Sequence, residues 1–366
     1  MTDESNLVSG LPPLPTPPPP PPPDQSQMVP VMRDAGRARE PITMADVDLV
    51  ARARERVVRE LRKRIIGQDA VIDLLMTSLF AGGHGLFIGV PGLAKTLLIQ
   101  TLAESVSLRF NRIQFTPDLM PSDITGTDVL EEDHATGRRF FKFIQGPVFS
   151  NLLLADEVNR TPPKTQAALL QAMQEKRVTA SGTTYQLEAP FLVFATQNPI
   201  EQEGTYPLPE AQLDRFLLKV IVPWPNRDEE RRIVRLHGNR TAMPKLESFG
   251  LEKLTNLDRL GAVRKTVSEL QLADEVADYI VDLVRETREH PALLHGASPR
   301  AAAMLATASR ALAVLRGRSF VIPDDVKELF LPAMRHRVVL APGAEVEGLT
   351  TQGVLEQVIA RVPAPR

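Results

Sequence analysis

Residues 86–96 read Leu86-Phe87-Ile88-Gly89-Val90-Pro91-Gly92-Leu93-Ala94-Lys95-Thr96. Three apolar residues predict a buried strand, and Lys95 to Ser105 carries a helical pattern. Strand, glycine-bearing loop and helix start are the context a phosphate loop needs. Its backbone N–H groups and the helix N-terminus favour a polyphosphate. Lys95 is expected to reach the β- and γ-phosphates of ATP, and the Thr96 hydroxyl to ligate Mg²⁺. Gly89, Val90, Pro91, Gly92, Leu93, Ala94, Lys95 and Thr96 are therefore the expected nucleotide contacts. Ala94 stands where such loops usually carry glycine, and its methyl is a small change.

Working outward, short apolar runs alternate with helical patterns. Phe110 to Phe115, Leu152 to Leu154, Phe191 to Phe194 and Phe216 to Val222 read as further strands. Lys164 to Gln174 reads as a helix. Buried apolar strands separated by helices predict an α/β fold with a mainly parallel sheet. Residues 127–147, around Gly137-Arg138-Arg139, and 177–190, around Ser181-Gly182, break the rhythm and read as inserted hairpins. Beyond Pro223-Trp224-Pro225 the pattern is almost all helical.

The run from Leu152 to Leu154 leads to Ala155-Asp156-Glu157. Two acids at a strand end, downstream of a phosphate loop, suit a division of labour. Asp156 would hold Mg²⁺ through water and Glu157 would polarise an attacking water. The run ending at Phe194 leads to Asn198, whose amide can orient that water or simply serve a turn before Pro199. Arg215 precedes an apolar strand, and Arg300 sits near an expected helix start. A guanidinium can stabilise a γ-phosphoryl group in flight. Taken alone, each is equally an ordinary surface arginine.

The ends and the composition set limits. The chain has 366 residues, no cysteine and a net charge of -2. No disulfide or thiolate metal site is possible, which fits a reducing cytoplasm. The charge offers no field to recruit nucleic acid or anionic lipid. Leu74 to Ala94 lacks fully charged side chains, but its glycines and Pro91 argue against a membrane span. No secretory signal is visible. The six histidines show no ligand spacing, so no structural metal is expected. Residues 1–41, with prolines from Pro17 to Pro23, read as a disordered tether or a strip for an aromatic groove. A capped helix should start near Thr43 and carry Arg52, Arg54, Arg56, Arg59, Arg62, Lys63 and Arg64 on one face. That face reads as solvated or as a subunit contact, with nucleic acid as the alternative.

Longer strings then resemble a known family. They are Asp156-Glu157-Val158-Asn159-Arg160-Thr161-Pro162-Pro163-Lys164-Thr165-Gln166, the stretch from Gln197 to Phe216, and Thr116 to Gly126. Over roughly residues 45–340 the chain resembles the MoxR branch of AAA+ ATPases. The resemblance implies an AAA+ P-loop domain (42–224) and a helical lid (225–342); residues 343–366 lie beyond it and read as a C-terminal tail. It implies ATP hydrolysis in a homo-oligomeric ring, usually a hexamer. It casts Asn198 as first sensor, Arg215 as arginine finger of the neighbouring subunit, and Arg300 as second sensor, also acting across the interface. Gly67 and Gln68 resemble the segment beside adenine. The two hairpins resemble inserts that face a pore or a partner. The family's theme is chaperone-like maturation of partners, often with a von Willebrand factor A domain, including metal insertion into enzymes. A nucleic-acid motor and a magnesium-chelatase-type motor subunit are the alternatives. Phe140 and Phe141, in a hairpin where Phe143 and they interleave with Arg138, Arg139 and Lys142, are expected to contact the partner or else to pack the insert onto the sheet.

Overall fold

The computed structural model describes residues 43–132, 137, 139–180, 182–200, 204–238 and 257–365. The proline-rich tail, His134, Arg138 and Glu201 to Glu203 lie outside the described residues. Thr43 opens helix α1 (Met44–Arg62) with a capping box: Asp46 accepts from the Thr43 N–H, and Thr43 Oγ1 accepts from the Asp46 N–H. This satisfies two donors that a helix start leaves free. Gly67 and Gln68, both at positive φ (72° and 62°), turn the chain into α2 (Asp69–Ala81). Then come β1 (His84–Ile88), α3 (Lys95–Ser105), β2 (Phe110–Gln114) and the single turn α4 (Pro121–Thr125).

The first inserted hairpin is β3 (Gly126–Glu132) paired antiparallel with β4 (Arg139–Gln145). It returns to β5 (Leu152–Asp156), a 3-10 turn (Val158–Arg160) and α5 (Pro163–Glu175). The second hairpin is β6 (Arg177–Ala180) with β7 (Thr183–Gln186), leading into β8 (Leu192–Gln197), α6 (Glu210–Leu213) and β9 (Phe216–Ile221). All five predicted strands join one parallel sheet, in the order β2-β5-β8-β1-β9.

Both faces of that sheet are covered, which explains apolar runs without alternation. Phe87, Leu152, Leu154, Phe194 and Val220 face the helices α1 to α3 and the later helices. Leu86, Leu153, Val193, Ala195 and Phe216 face α5 and α4. Phe194 is fully buried and meets Phe87 edge to face, with ring centroids 5.6 Å apart. Truncating it to alanine should cost about 3–5 kcal/mol.

The helical region holds α7 (Arg227–His237), α8 (Leu257–Glu269), α9 (Asp274–Glu289), α10 (Pro299–Leu315) and α11 (Pro323–Met334). It is not purely helical: β10 (Leu293–His295) pairs antiparallel with β11 (Val339–Leu340). Residues 343–366, read from sequence as a tail, include most of α12 (Pro342–Val346) and all of α13 (Thr351–Arg361). Val354, Leu355 and Val358 of α13 are fully buried in the main core.

The hairpins are tied together. Phe143 of β4 stacks on Tyr185 of β7, with centroids 4.3 Å apart and planes 11° from parallel. Phe149 meets both rings edge-on. Phe143 therefore packs inward. Phe140 and Phe141 are 46% and 74% exposed, so the packing alternative fails for them. On the basic face of α1, Arg54 pairs with Asp73, Arg62 with Asp69, Lys63 with Glu60 and Arg64 with Glu104. That pairing removes much of the positive field a nucleic acid would need. Leu74 to Ala94 is a helix end, a turn, β1 and a loop, and no helix among the described residues is long and apolar enough to cross a membrane.

Candidate active site

Strands β1, β5 and β8 lie side by side and end on the same edge, so their following loops converge. Ligands of open α/β sheets bind at such carboxyl ends. A cavity of about 360 Å³ there is lined by Pro91 to Leu97, Asp156, Glu157, Thr196, Gln197 and Asn198. The structure thus brings together the loop, both acids and the sensor amide that the sequence singled out.

The loop is open toward the cavity. Gly92 lies at φ 89°, and a methyl at its Cα would meet nothing within 4 Å. Ala94 takes a left-handed conformation, φ 55° and ψ 22°. A side chain there costs about 1–2 kcal/mol, so the departure from glycine is a strain and not merely an extra methyl. The Lys95 ammonium folds back to donate to the carbonyls of Gly89 and, at 2.7 Å, Val90. Burial lowers its pKa, against the opposing charges of Asp156 and Glu157. A phosphate group would replace those carbonyls as its partner and offset the burial.

Asp156 is held by three residues. Its Oδ2 accepts from Thr96 Oγ1 at 3.1 Å and from Arg112 Nη2 at 2.7 Å. Its Oδ1 accepts from Thr196 Oγ1. The Thr96 hydroxyl and Asp156 carboxylate are hard oxygen donors side by side, beside open space for phosphates. That set fits Mg²⁺, which takes few protein ligands and keeps water and phosphate oxygens. Bound there, the ion would offset phosphate charge, with Thr96 and Asp156 holding it.

Glu157 also sits at positive φ (57°), a conformation that concentrates at functional sites. Its N–H donates to Thr196 Oγ1 at 2.9 Å. Its Oε2 accepts from Gln114 Nε2 at 2.7 Å and from Arg160 Nη1 at 3.0 Å. Behind it, the fully buried Gln166 donates Nε2 to the carbonyls of Thr161 and Tyr206, both at 3.1 Å. Asn198 is buried, and its Oδ1 accepts from the Ile200 N–H at 3.2 Å, so its turn role is real. Gln68 Nε2 donates to the Leu93 carbonyl at 3.0 Å, joining the expected adenine segment to the loop. Its buried Oε1 is unpartnered among the described residues, an acceptor left for a donor such as an exocyclic amine.

Arg112, Gln114, Arg160 and Thr196 escaped the sequence reading. Arg160 lay inside a quoted motif. Arg112 and Gln114 alternate along a strand that ends beside Asp156, a period-two signal.

Arg215 and Arg300 stand apart from the cavity. Neither lines it among the described residues. Arg300 Nε lies 3.8 Å from Asp214 Oδ2. Burial, then the charge of Arg300, pulls the Arg215 guanidinium below its ordinary range. The two cations therefore share one neighbourhood around Asp214. It adjoins a second cavity of about 400 Å³ lined by Asp214, Lys219, Ser298 and Arg335.

A parallel sheet with a phosphate loop, paired acids and a helical lid defines an AAA-type ATPase. Residues 84–218 match the ATPase family associated with various cellular activities (AAA), and residues 285–358 match the AAA lid domain. The Chaperone MoxR1 of Mycobacterium tuberculosis is 41% identical, over 85% of this chain and 82% of its own length. Protein MoxR of Methylorubrum extorquens is 32% identical, over 86% and 95%. A crystal structure of a candidate ATPase from Cytophaga hutchinsonii superposes with a TM-score of 0.80 and 40% identity, over 88% and 98%. The chain belongs to the MoxR family of AAA+ ATPases, and it hydrolyses ATP. This separates it from the magnesium-chelatase-type alternative.

Proposed function

We propose that the chain works as a ring, of the hexameric kind its family resemblance implies, in the cytoplasm. In that ring Arg215 and Arg300 of one subunit complete the phosphate site of the next. Hydrolysis there would drive the remodelling or maturation of a protein partner. The observation that carries this reading is the separation just described. The cavity has its loop, acids and sensor amide, yet both arginines gather around Asp214 on another part of the surface.

Within one chain, Lys95 and the loop N–H groups would bind phosphates, and Thr96 and Asp156 would hold Mg²⁺. Glu157 would take a proton from the attacking water, while Asn198 orients it. Gly67 and Gln68 would border the adenine. We divide the described chain into a nucleotide domain ending near Trp224 and a lid that continues through α13.

A protein partner is favoured over nucleic acid by the first hairpin. Its basic residues Arg139 and Lys142 pair with Glu132 and Glu131. Its apolar residues Val129, Leu130, Phe140, Phe141 and Ile144 are exposed. An exposed apolar patch of this kind marks a protein contact. The relative named Chaperone MoxR1 points the same way. A von Willebrand factor A domain partner follows from the family resemblance.

The test is mixing. Arg215→Ala should keep ATP affinity and lose about 10³–10⁵ in turnover. Glu157→Gln subunits carry the arginines but no base. Mixed with Arg215→Ala subunits, they should restore part of the activity. Confirmed mixed rings without recovery would count against action in trans, and monomers at every concentration with ATP bound would defeat the ring.

A further inference from the structure

Arg337 lies just beyond α11 and does not line the phosphate cavity, and its side chain is only 1% exposed. It reaches more than 120 residues back along the chain. Nε donates to Asp214 Oδ1 at 2.8 Å. Nη2 donates to the Phe216 carbonyl at 2.6 Å and the Asp214 carbonyl at 3.3 Å. Nη1 donates to the Leu217 carbonyl at 3.1 Å and to that of Ala333. Next to it, His336 Nε2 lies 2.9 Å from the same Phe216 carbonyl. The backbone on both sides of Arg215 is thus held by one guanidinium.

Stability alone does not call for this arrangement. A buried ion pair is often no better than apolar residues of the same volume. What a guanidinium uniquely supplies is five donors in a rigid plane. Here they grip one carboxylate and three carbonyls of the segment that leads into β9, and one carbonyl of α11. A lysine has three donors at one point and cannot span them. The remaining Asp214 oxygen faces Arg300 on α10 at 3.8 Å. Lid residues therefore hold Asp214 from two directions, and Arg215 is the next residue.

We propose that Arg337 is a positioning residue for Arg215, fastening the Asp214–Leu217 segment, where α6 passes into β9, to the helical lid so that Arg215 and Arg300 are presented as one unit. This rests on the reading of Arg215 as a participant in phosphoryl chemistry. Lid movement then carries the arginine with it, and the arginine cannot drift independently.

The experiment uses the full chain and four variants: Arg337→Lys, Asp214→Asn, Arg215→Ala and the double variant Arg215→Ala/Arg337→Lys. Arg337→Lys should keep ATP affinity within about threefold and lower kcat about 10–100-fold, the scale of a misplaced reacting group. Asp214→Asn keeps the shape, removes the anchoring charge and should act in the same direction. It decides the matter if Arg337→Lys fails to fold. The decisive reading is the double variant. If Arg337 acts only through Arg215, the lysine should cost less than about twofold in the Arg215→Ala background. An equal loss in both backgrounds would overturn the proposal, as would wild-type kcat in Arg337→Lys or in Asp214→Asn. Wild-type turnover in Arg215→Ala would instead sink the reading of Arg215 itself, which keeps the two failures distinct.

Discussion

Gln114 Nε2 and Glu157 Oε2 are 2.7 Å apart, so the carboxylate beside the phosphate cavity is turned toward β2 by an amide from that strand. Arg160 donates to the same oxygen at 3.0 Å. Two donors on one carboxylate oxygen hold it toward β2 and restrain its swing over the phosphate cavity. Gln114→Ala should raise basal turnover about two- to tenfold, since a hydrogen bond to a charged group contributes roughly 1 kcal/mol or more. ATP affinity should not change. Steady-state kinetics with calorimetry checks both; a fall in kcat would mean that the amide aims Glu157 instead of restraining it.

Lys95 and Glu157 should separate binding from chemistry. Lys95→Ala removes the point charge from the phosphate site and should abolish measurable ATP binding. Glu157→Gln keeps the shape but cannot accept a proton, so it should bind ATP and lose about 10²–10⁴ in turnover. Normal affinity in the first, or near-normal turnover in the second, would reassign the residue concerned.

Ala94 holds φ 55° at the start of α3. Glycine there relieves left-handed strain but loosens the unfolded chain. The first effect is about 1–2 kcal/mol and the second about 0.4–1 kcal/mol. Ala94→Gly should therefore stabilise the fold by about 1 kcal/mol. Denaturant unfolding measures this directly, and a destabilised variant would show that the methyl makes a packing contact worth more than the strain.

Two histidines, half-buried His84 and buried His336, should make stability depend on acid. Burial pushes the pKa of His84 down from 6.5 to about 4, and burial with the charge of Arg337 drives His336 well below its ordinary value. His84 Nδ1 accepts from the Val193 N–H at 2.9 Å, which requires that nitrogen unprotonated. As pH falls, the unfolded chain takes up protons first. Their contribution is present above the unfolded pKa and is lost as pH drops toward the folded one. Between about pH 6.5 and 4 His84 should cost on the order of 2–3 kcal/mol, and His336 should act in the same direction. His84→Asn retains an acceptor for Val193 and should flatten the fall in Tm over that window. An unchanged slope would assign the acid sensitivity elsewhere.

The phosphate loop, the paired acids and the five sheet strands were legible because each depends on local order: an apolar run, then a fixed string of loop residues. Helix α3 runs from Lys95 to Ser105 as expected. Asn198 was legible only through its place after β8. The Arg112–Asp156 and Gln114–Glu157 contacts join residues more than 40 positions apart, so alternation along β2 can mark Arg112 and Gln114 but not their partners. Arg337 escaped for a related reason. It follows an ordinary helix, and its burial depends on the start of β9, 121 residues earlier. Helix α13 was missed because the family strings had ended, although its Val354, Leu355 and Val358 carry helical spacing.

The stacking of Phe143 on Tyr185 has a consequence for inheritance. A hairpin that extends alone from a sheet can be exchanged between relatives as a cassette. This one cannot, because its ring rests on a ring contributed by the other hairpin, with Phe149 closing the corner. A chimera receiving β3 and β4 from a relative needs that relative's partners for positions 149 and 185 as well. Without them the graft lands on a mismatched aromatic platform. The three positions form a single unit of exchange, and the exposed phenylalanines should keep their presentation in a chimera only when all three are transferred together.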